Sequence, residues 1–278
     1  MPACPGNGVR DRGGIIESEI ITDDAALHVE VEGSGTPVTV FAHGLTNSCR
    51  ELAAFTPMAP GTKVRFCFRG HGHSSMPDTG HYHFADFARD VDAVAEAYDA
   101  TCAFGTSLGA GAIMHLIGDR PDRFERIVFL LPAALDVSPV DHASFDRTAD
   151  LLERLPKDEA IDAILNDTGR VAAYEVQPAL RDFDMLLWQD MNPVGVARAV
   201  REVVRDVAID DRAMLRKVTA PTLVISREGD AVHPAEVGRI IAAEMPNAEL
   251  IMLESEEELL DSIPMLIQRV AAFLADGA

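Results

Sequence analysis

The sequence predicts an α/β fold: a mostly parallel, doubly wound sheet of eight strands flanked by helices, with a helical insertion. Three observations carry that prediction. Eight short runs rich in β-branched and apolar residues recur along the 278-residue chain. From Phe84 onward they alternate with stretches whose apolar residues fall at three- and four-residue steps, the order expected of strand–helix–strand units. The alternation stops at about residue 137 and resumes at about 215, and only helical patterns lie between. With 47% hydrophobic residues the chain can bury a large core.

Residues 1–14, rich in Gly and Pro, predict a flexible tail. "GIIESEIIT" and "ALHVEVEG" predict a hairpin pair; in the second run His28, Glu30 and Glu32 alternate with Leu27, Val29 and Val31, so one face is wet. "PVTVFAHG" and "KVRFCFRG" are continuous apolar runs ended by glycine, as strands buried on both faces require. Phe84, Phe87, Val91, Val94 and Tyr98 mark an amphipathic helix. "ATCAFG" predicts a strand, "LGAGAIMHLIG" a helix and "RIVFLLP" a strand. In the insertion, 137–214, "FDRTADLLERL", "DEAIDAILND" and "VGVARAVREVVRDV" predict helices. Its apolar cluster of Met185, Trp188 and Met191 reads equally as packing core or as the roof of a substrate pocket. "APTLVIS", "PAEVGRIIAAEM", "AELIML" and "MLIQRVAAFLA" then restore the alternation. The core thus spans 15–136 and 215–278.

Charge and cysteine content narrow the function classes. The formal net charge is −21, from 45 acidic and 24 basic residues, which excludes a sequence-independent grip on nucleic-acid phosphates. Cys4, Cys49, Cys67 and Cys102 show no C-x-x-C spacing and read as free thiols, buried where they fall in strands. Neither a signal-peptide core nor a bilayer-length apolar stretch is present, so the expectation is a soluble, cytoplasmic protein that does not engage membranes.

Chemistry concentrates at residues 105–109, "GTSLG", which fit G-x-S-x-G with a strand before and a helix after. A sharp strand-to-helix turn lifts the Ser107 hydroxyl above the sheet at the positive end of the helix, and larger neighbours than glycine would clash.

At these residues the sequence resembles the α/β-hydrolase family. "FAHGLTNS" (41–48) is similar to its oxyanion loop, "FRGHGHS" (68–74) to the loop after its fourth strand, and "APTLVISREGDAVHP" (220–234) to its seventh strand and acid loop. The insertion falls where that family carries a helical cap. The resemblance implies Ser107 as nucleophile, Asp230 as triad acid, and the backbone N–H groups of Leu45 and Leu108 as oxyanion hole. His43 would shape its loop rather than act as base.

One element of the pattern is absent. The family's base is a histidine shortly after the eighth strand, and this chain has no histidine after His233; Glu256, Glu257 and Glu258 occupy that region. A serine hydroxyl needs an adjacent base near neutral pH. Glu257 is one candidate, if burial beside Asp230 raises its pKa. His71, in the "RGHGHS" loop, and His142, at the start of the cap, are others. His233 lies three residues after Asp230, where His-Pro reads as ordinary loop chemistry. The His-x-His pairs 71/73 and 81/83 invite a metal reading, but their loop placement argues against it, and neither metal nor cofactor is expected. The expected activity is esterase-like hydrolysis of a small, partly apolar ester, lactone or related acyl compound. The alternative is a member that binds a small hydrophobic ligand or catalyses an elimination or rearrangement.

Overall fold

Period-two alternation governs the first strands, and continuous apolar runs govern the rest. The computed structural model describes residues 10–12, 14–138, 142–167, 171–176 and 178–275. Strands β1 (Arg10–Arg12), β2 (Ile15–Ile21) and β3 (Ala26–Gly33) form an antiparallel ribbon, with Ile15 opposite Glu32 and Ile21 opposite Ala26. Then follow β4 (Val38–Ala42), β5 (Thr62–Phe66), helix α1 (Phe84–Ala97), β6 (Cys102–Thr106), α2 (Leu108–Asp119) and β7 (Arg126–Leu130). Helices α3 (His142–Arg154), α4 (Lys157–Asp167), α5 (Val171–Val176), α6 (Pro178–Leu187) and α7 (Pro193–Val203) occupy the insertion. Strand β8 (Thr222–Arg227), α8 (Ala235–Glu244), β9 (Ala248–Leu253) and α9 (Glu256–Ala275) close the chain.

The sheet order is β1-β2-β3-β5-β4-β6-β7-β8-β9. Pairing is antiparallel as far as β5 and parallel from β5 to β9. The eight predicted strands are all present. A ninth, β1, lies inside the segment predicted as a flexible tail, and the correction has a local cause: Gly14, at φ 95°, turns the chain back so that Arg12 pairs with Ile15. Residues 1–9 of that predicted tail lie outside the described residues.

Successive residues of a strand face opposite sides of the sheet, so Ala103 joins the core under α1 and α2 while Cys102 and Phe104 join the core under α9. Helices therefore cover both faces, as a parallel centre demands. The insertion holds a separate cluster in which Leu152, Ile161, Ile164, Val196 and Val200 pack together. Among the described residues no helix is long and apolar enough to cross a membrane.

Two buried contacts fix the loops at the carboxyl ends of the parallel strands. The Arg69 guanidinium donates to both Asp90 carboxylate oxygens of α1 (2.9 and 2.7 Å), and both side chains are fully buried. His43 donates from Nδ1 to the carbonyl of Gly44 (2.7 Å) and accepts the Phe68 N–H at Nε2 (3.0 Å). The loop after β4 is thereby tied to the loop after β5.

Candidate active site

Ser107 stands at the turn between β6 and α2 with φ 49° and ψ −106°, a strained geometry for a non-glycine residue. Its flanking glycines are required by space. A Cβ on Gly109 would lie 2.2 Å from the carbonyl oxygen of Ala42, and one on Gly105 would lie 2.6 Å from the backbone of Ala110. The Gly109 N–H donates to the carbonyl of His43 (3.1 Å), binding the turn to the loop after β4.

Asp230 and His233 share the loop between β8 and α8. One Asp230 carboxylate oxygen accepts the N–H groups of Val232 (2.9 Å) and His233 (3.0 Å), which curls the loop into a tight turn. The turn folds the His233 ring back over its own anchor: Nδ1 lies 3.1 Å from Asp230 Oδ2, and Nε2 lies 3.0 Å from Ser107 Oγ. Arg227 donates to the same Oδ2 (2.7 Å). Burial opposes ionisation of Asp230, but the His233 ring and N–H, with Arg227, outweigh it and hold the carboxyl well below the usual carboxylate range. The ring nitrogen facing this carboxylate therefore carries the proton, which leaves Nε2 free to accept from the serine hydroxyl.

The other base candidates lie elsewhere. His43 is fully buried, both its ring nitrogens are used by backbone groups, and burial beside His71 pulls its pKa down to about 3. His71 is also buried and directs its two nitrogens at the carbonyls of Arg69 and Leu45, with burial lowering its pKa against those contacts. His142 is exposed and meets Ser138 at 3.3 Å. Glu257 is exposed in the first turn of α9. Among these candidates it is His233, expected from the sequence to be ordinary loop chemistry, whose ring reaches Ser107.

A cavity of about 240 Å³ opens above Ser107. Leu45 and Leu108 line it beside the serine, and Leu131, Phe145, Val203, Val204 and Val232 supply apolar walls. Leu108 begins α2, so its N–H lies in the first turn, where the helix dipole is positive. The predicted cap-pocket residues do not line this cavity. Trp188 and Met191 pack into the insertion's own cluster, and Met185 is exposed beside Lys157 and Gln189. Phe145 of α3 and Val203 of α7 face the cavity, whereas Trp188 and Met191, which follow α6, pack inside the insertion.

Sequence reasoning also passed over Glu51. It sits in a short 3-10 turn (Cys49–Ala54), lines the cavity, and accepts the Gly44 N–H at 2.7 Å. Burial raises its pKa, against the pull of the Gly44 N–H, Asn47 and His233. The only sequence signal for it is its place eight residues after His43, in a segment with no motif of its own. The carboxylates Glu51 and Asp206 face the cavity, and among the described residues no Lys or Arg lines it.

Comparison with known proteins identifies the family and the fold. The alpha/beta hydrolase family model matches residues 39–261. The chain is similar to the proline iminopeptidase PfmaB of Pestalotiopsis fici, at 24% identity over 257 residues, covering 84% of this chain and 85% of that one. A hydrolase from Pseudomonas aeruginosa superposes with a TM-score of 0.78 at 25% identity, covering 95% of this chain and all of its own (100%). The enol-lactonase of Burkholderia xenovorans does so with a TM-score of 0.74 at 21% identity, covering 91% of this chain and 97% of its own.

Proposed function

The chain belongs to the alpha/beta hydrolase family, and from that premise we propose that it is a serine hydrolase whose base is His233, cleaving small, neutral, partly apolar esters or lactones. The 3.0 Å approach of His233 Nε2 to Ser107 Oγ, backed by Asp230, carries this reading. His233 takes the serine proton as Oγ adds to the substrate carbonyl carbon. The carbonyl oxygen becomes an oxyanion, held by the N–H groups of Leu45 and Leu108 where charge develops. The imidazolium, stabilised by Asp230, then gives its proton to the departing alkoxide, leaving an acyl group on Ser107. Water attacks that acyl group by the same route, with His233 again as base and then acid.

Substrate class follows from the cavity. Its apolar walls favour a hydrocarbon acyl or alcohol part, its small volume favours a small one, and two carboxylates without a facing cation disfavour an anionic substrate. The lactonase among the structural neighbours supports including cyclic esters. The contact of His233 with Ser107 supports hydrolysis over the nonhydrolytic alternative.

A fluorophosphonate probe and a panel of short-chain p-nitrophenyl esters, simple lactones and a prolyl peptide substrate test the proposal. Labelling and ester or lactone turnover are expected, with both abolished in Ser107→Ala. Absence of labelling at every pH from 6 to 9 (an assay range around the ordinary histidine pKa of about 6.5) in folded protein overturns it and favours the nonhydrolytic reading.

A further inference from the structure

A second cluster of reactive side chains lies behind the loop that carries Leu45. Period-two alternation in β3 places His28 and Glu30 on one face of the ribbon. Cys49, the first residue of the 3-10 turn, comes up against that face, and His28, Glu30 and Cys49 offer donor atoms that all lie within 4.8 Å of one another. His28 Nε2 is 3.5 Å from Glu30 Oε1. The sulfur of Cys67 is 3.3 Å from that of Cys49, a non-bonded contact between free thiols. These four residues share the lining of a cavity of about 540 Å³, separate from the one above Ser107.

We propose that His28, Glu30 and Cys49 bind a thiophilic divalent cation of the zinc class, with Cys67 as the adjacent fourth ligand. Tetrahedral zinc holds nitrogen, oxygen and sulfur donors at 2.0–2.3 Å, so its ligand atoms sit roughly 3.5 Å apart. The His28–Glu30 and Cys49–Cys67 separations, 3.5 and 3.3 Å, are of that size, and the donor atoms of His28, Glu30 and Cys49 lie within 4.8 Å of one another, with Cys67 reached through Cys49. The donor set mixes imidazole, carboxylate and thiolate, which is the preference of zinc rather than of magnesium or calcium. Binding replaces the two thiol protons with the metal and releases them to solvent. Two thiolates and Glu30 then carry three negative charges, and the divalent ion with the buried Arg65, which donates to Glu30 at 2.9 Å, carries three positive ones. Among these ligands, the ion and Arg65, the charges cancel only when both thiols take part. The other such grouping among the described residues, Asp24, His81 and Asp86, offers no thiol, and Arg69 lies 2.9 Å from Asp24 and 3.8 Å from Asp86. An ion at Cys49 would pin the β2–β3 ribbon to the turn that carries Glu51, and so to the Leu45 loop.

Reduced, metal-free full-length protein, kept anaerobic, is titrated with zinc against a chromophoric chelator and with cobalt(II). About one equivalent is expected, with an intense thiolate-to-cobalt absorption band, tetrahedral d–d bands, proton release and a higher thermal midpoint in zinc. Cys49→Ser should remove the thiolate band or shift it to that of a single sulfur, and His28→Ala and Glu30→Gln should each weaken binding at least tenfold. Circular dichroism verifies that each variant is folded, and Glu30→Gln keeps the shape if either of the others fails to fold. The proposal is overturned if reduced wild-type protein binds no metal. It is equally overturned if the cobalt spectrum lacks a thiolate band, or if affinity is unchanged in every folded variant. Formation of a Cys49–Cys67 disulfide in air, without metal binding by the reduced form, overturns it in favour of a simple thiol pair.

Discussion

At residue scale the proposal turns on three side chains joined by two contacts: Asp230, the His233 ring and Ser107. Replacing His233 by Ala is expected to lower kcat/KM by about a thousandfold or more, because the serine loses its proton acceptor. Glu257→Gln should leave turnover unchanged, and assay of the two variants side by side separates a histidine base from a carboxylate one. Glu51 makes a different prediction. Its folded-state pKa is raised, so ionising it costs stability; that cost is absent below the ordinary carboxylate pKa and grows as pH rises through the folded value. Glu51→Gln keeps an acceptor for the Gly44 N–H and removes the charge. Its melting temperature should match wild type near pH 4 (about the ordinary pKa of Glu) and exceed it by a few degrees in mildly alkaline buffer. Thermal melts across that range check the sign.

At the scale of elements, the site depends on how closely α2 approaches β4. Gly109 is the contact point, with backbone oxygen 2.2 Å from where a Cβ would stand, so nothing flexible can give way. Gly109→Ala should cost about 1–3 kcal/mol in chemical denaturation by forcing the helix off the strand. It should also displace the Leu108 N–H and depress kcat more than it raises KM. The Arg69–Asp90 pair secures the adjacent loop, since both side chains are buried and Asp90 is, among the described residues, the one fully buried carboxylate facing the guanidinium, beside the more exposed Asp24. Asp90→Ala leaves the guanidinium buried without its main partner, and a loss of about 3–5 kcal/mol is expected in the same denaturation experiment.

At the scale of the molecule, a formal charge of −21 surrounds a cavity that itself faces two carboxylates. Long-range repulsion should slow capture of anionic substrates and be screened by salt. For a pair of esters differing only in a terminal carboxylate, kcat/KM of the anionic one should rise several-fold from low to moderate ionic strength. The neutral one should stay flat.

Much of this was legible in the chain itself. The strand and helix order, the buried parallel centre and the strained turn at Ser107 follow from local patterns: apolar runs, three- and four-residue periodicity, and glycines on either side of a serine. Each is set by neighbours in sequence, which is why it can be read there. The histidine beside Ser107 could not be. Asp230 and His233 are only three residues apart, yet nothing local says that a turn folded on the Asp230 carboxylate aims the ring at a serine 126 positions away. Nor does the apolar cluster at Trp188 say which side of the insertion it faces, or the Cys49 thiol that it meets His28, Glu30 and Cys67. The sequence by itself determined most of the strand and helix order and the turn that presents Ser107. Only tertiary packing, which sets the phase of helices and the distance between loops remote in sequence, decided what stands beside it.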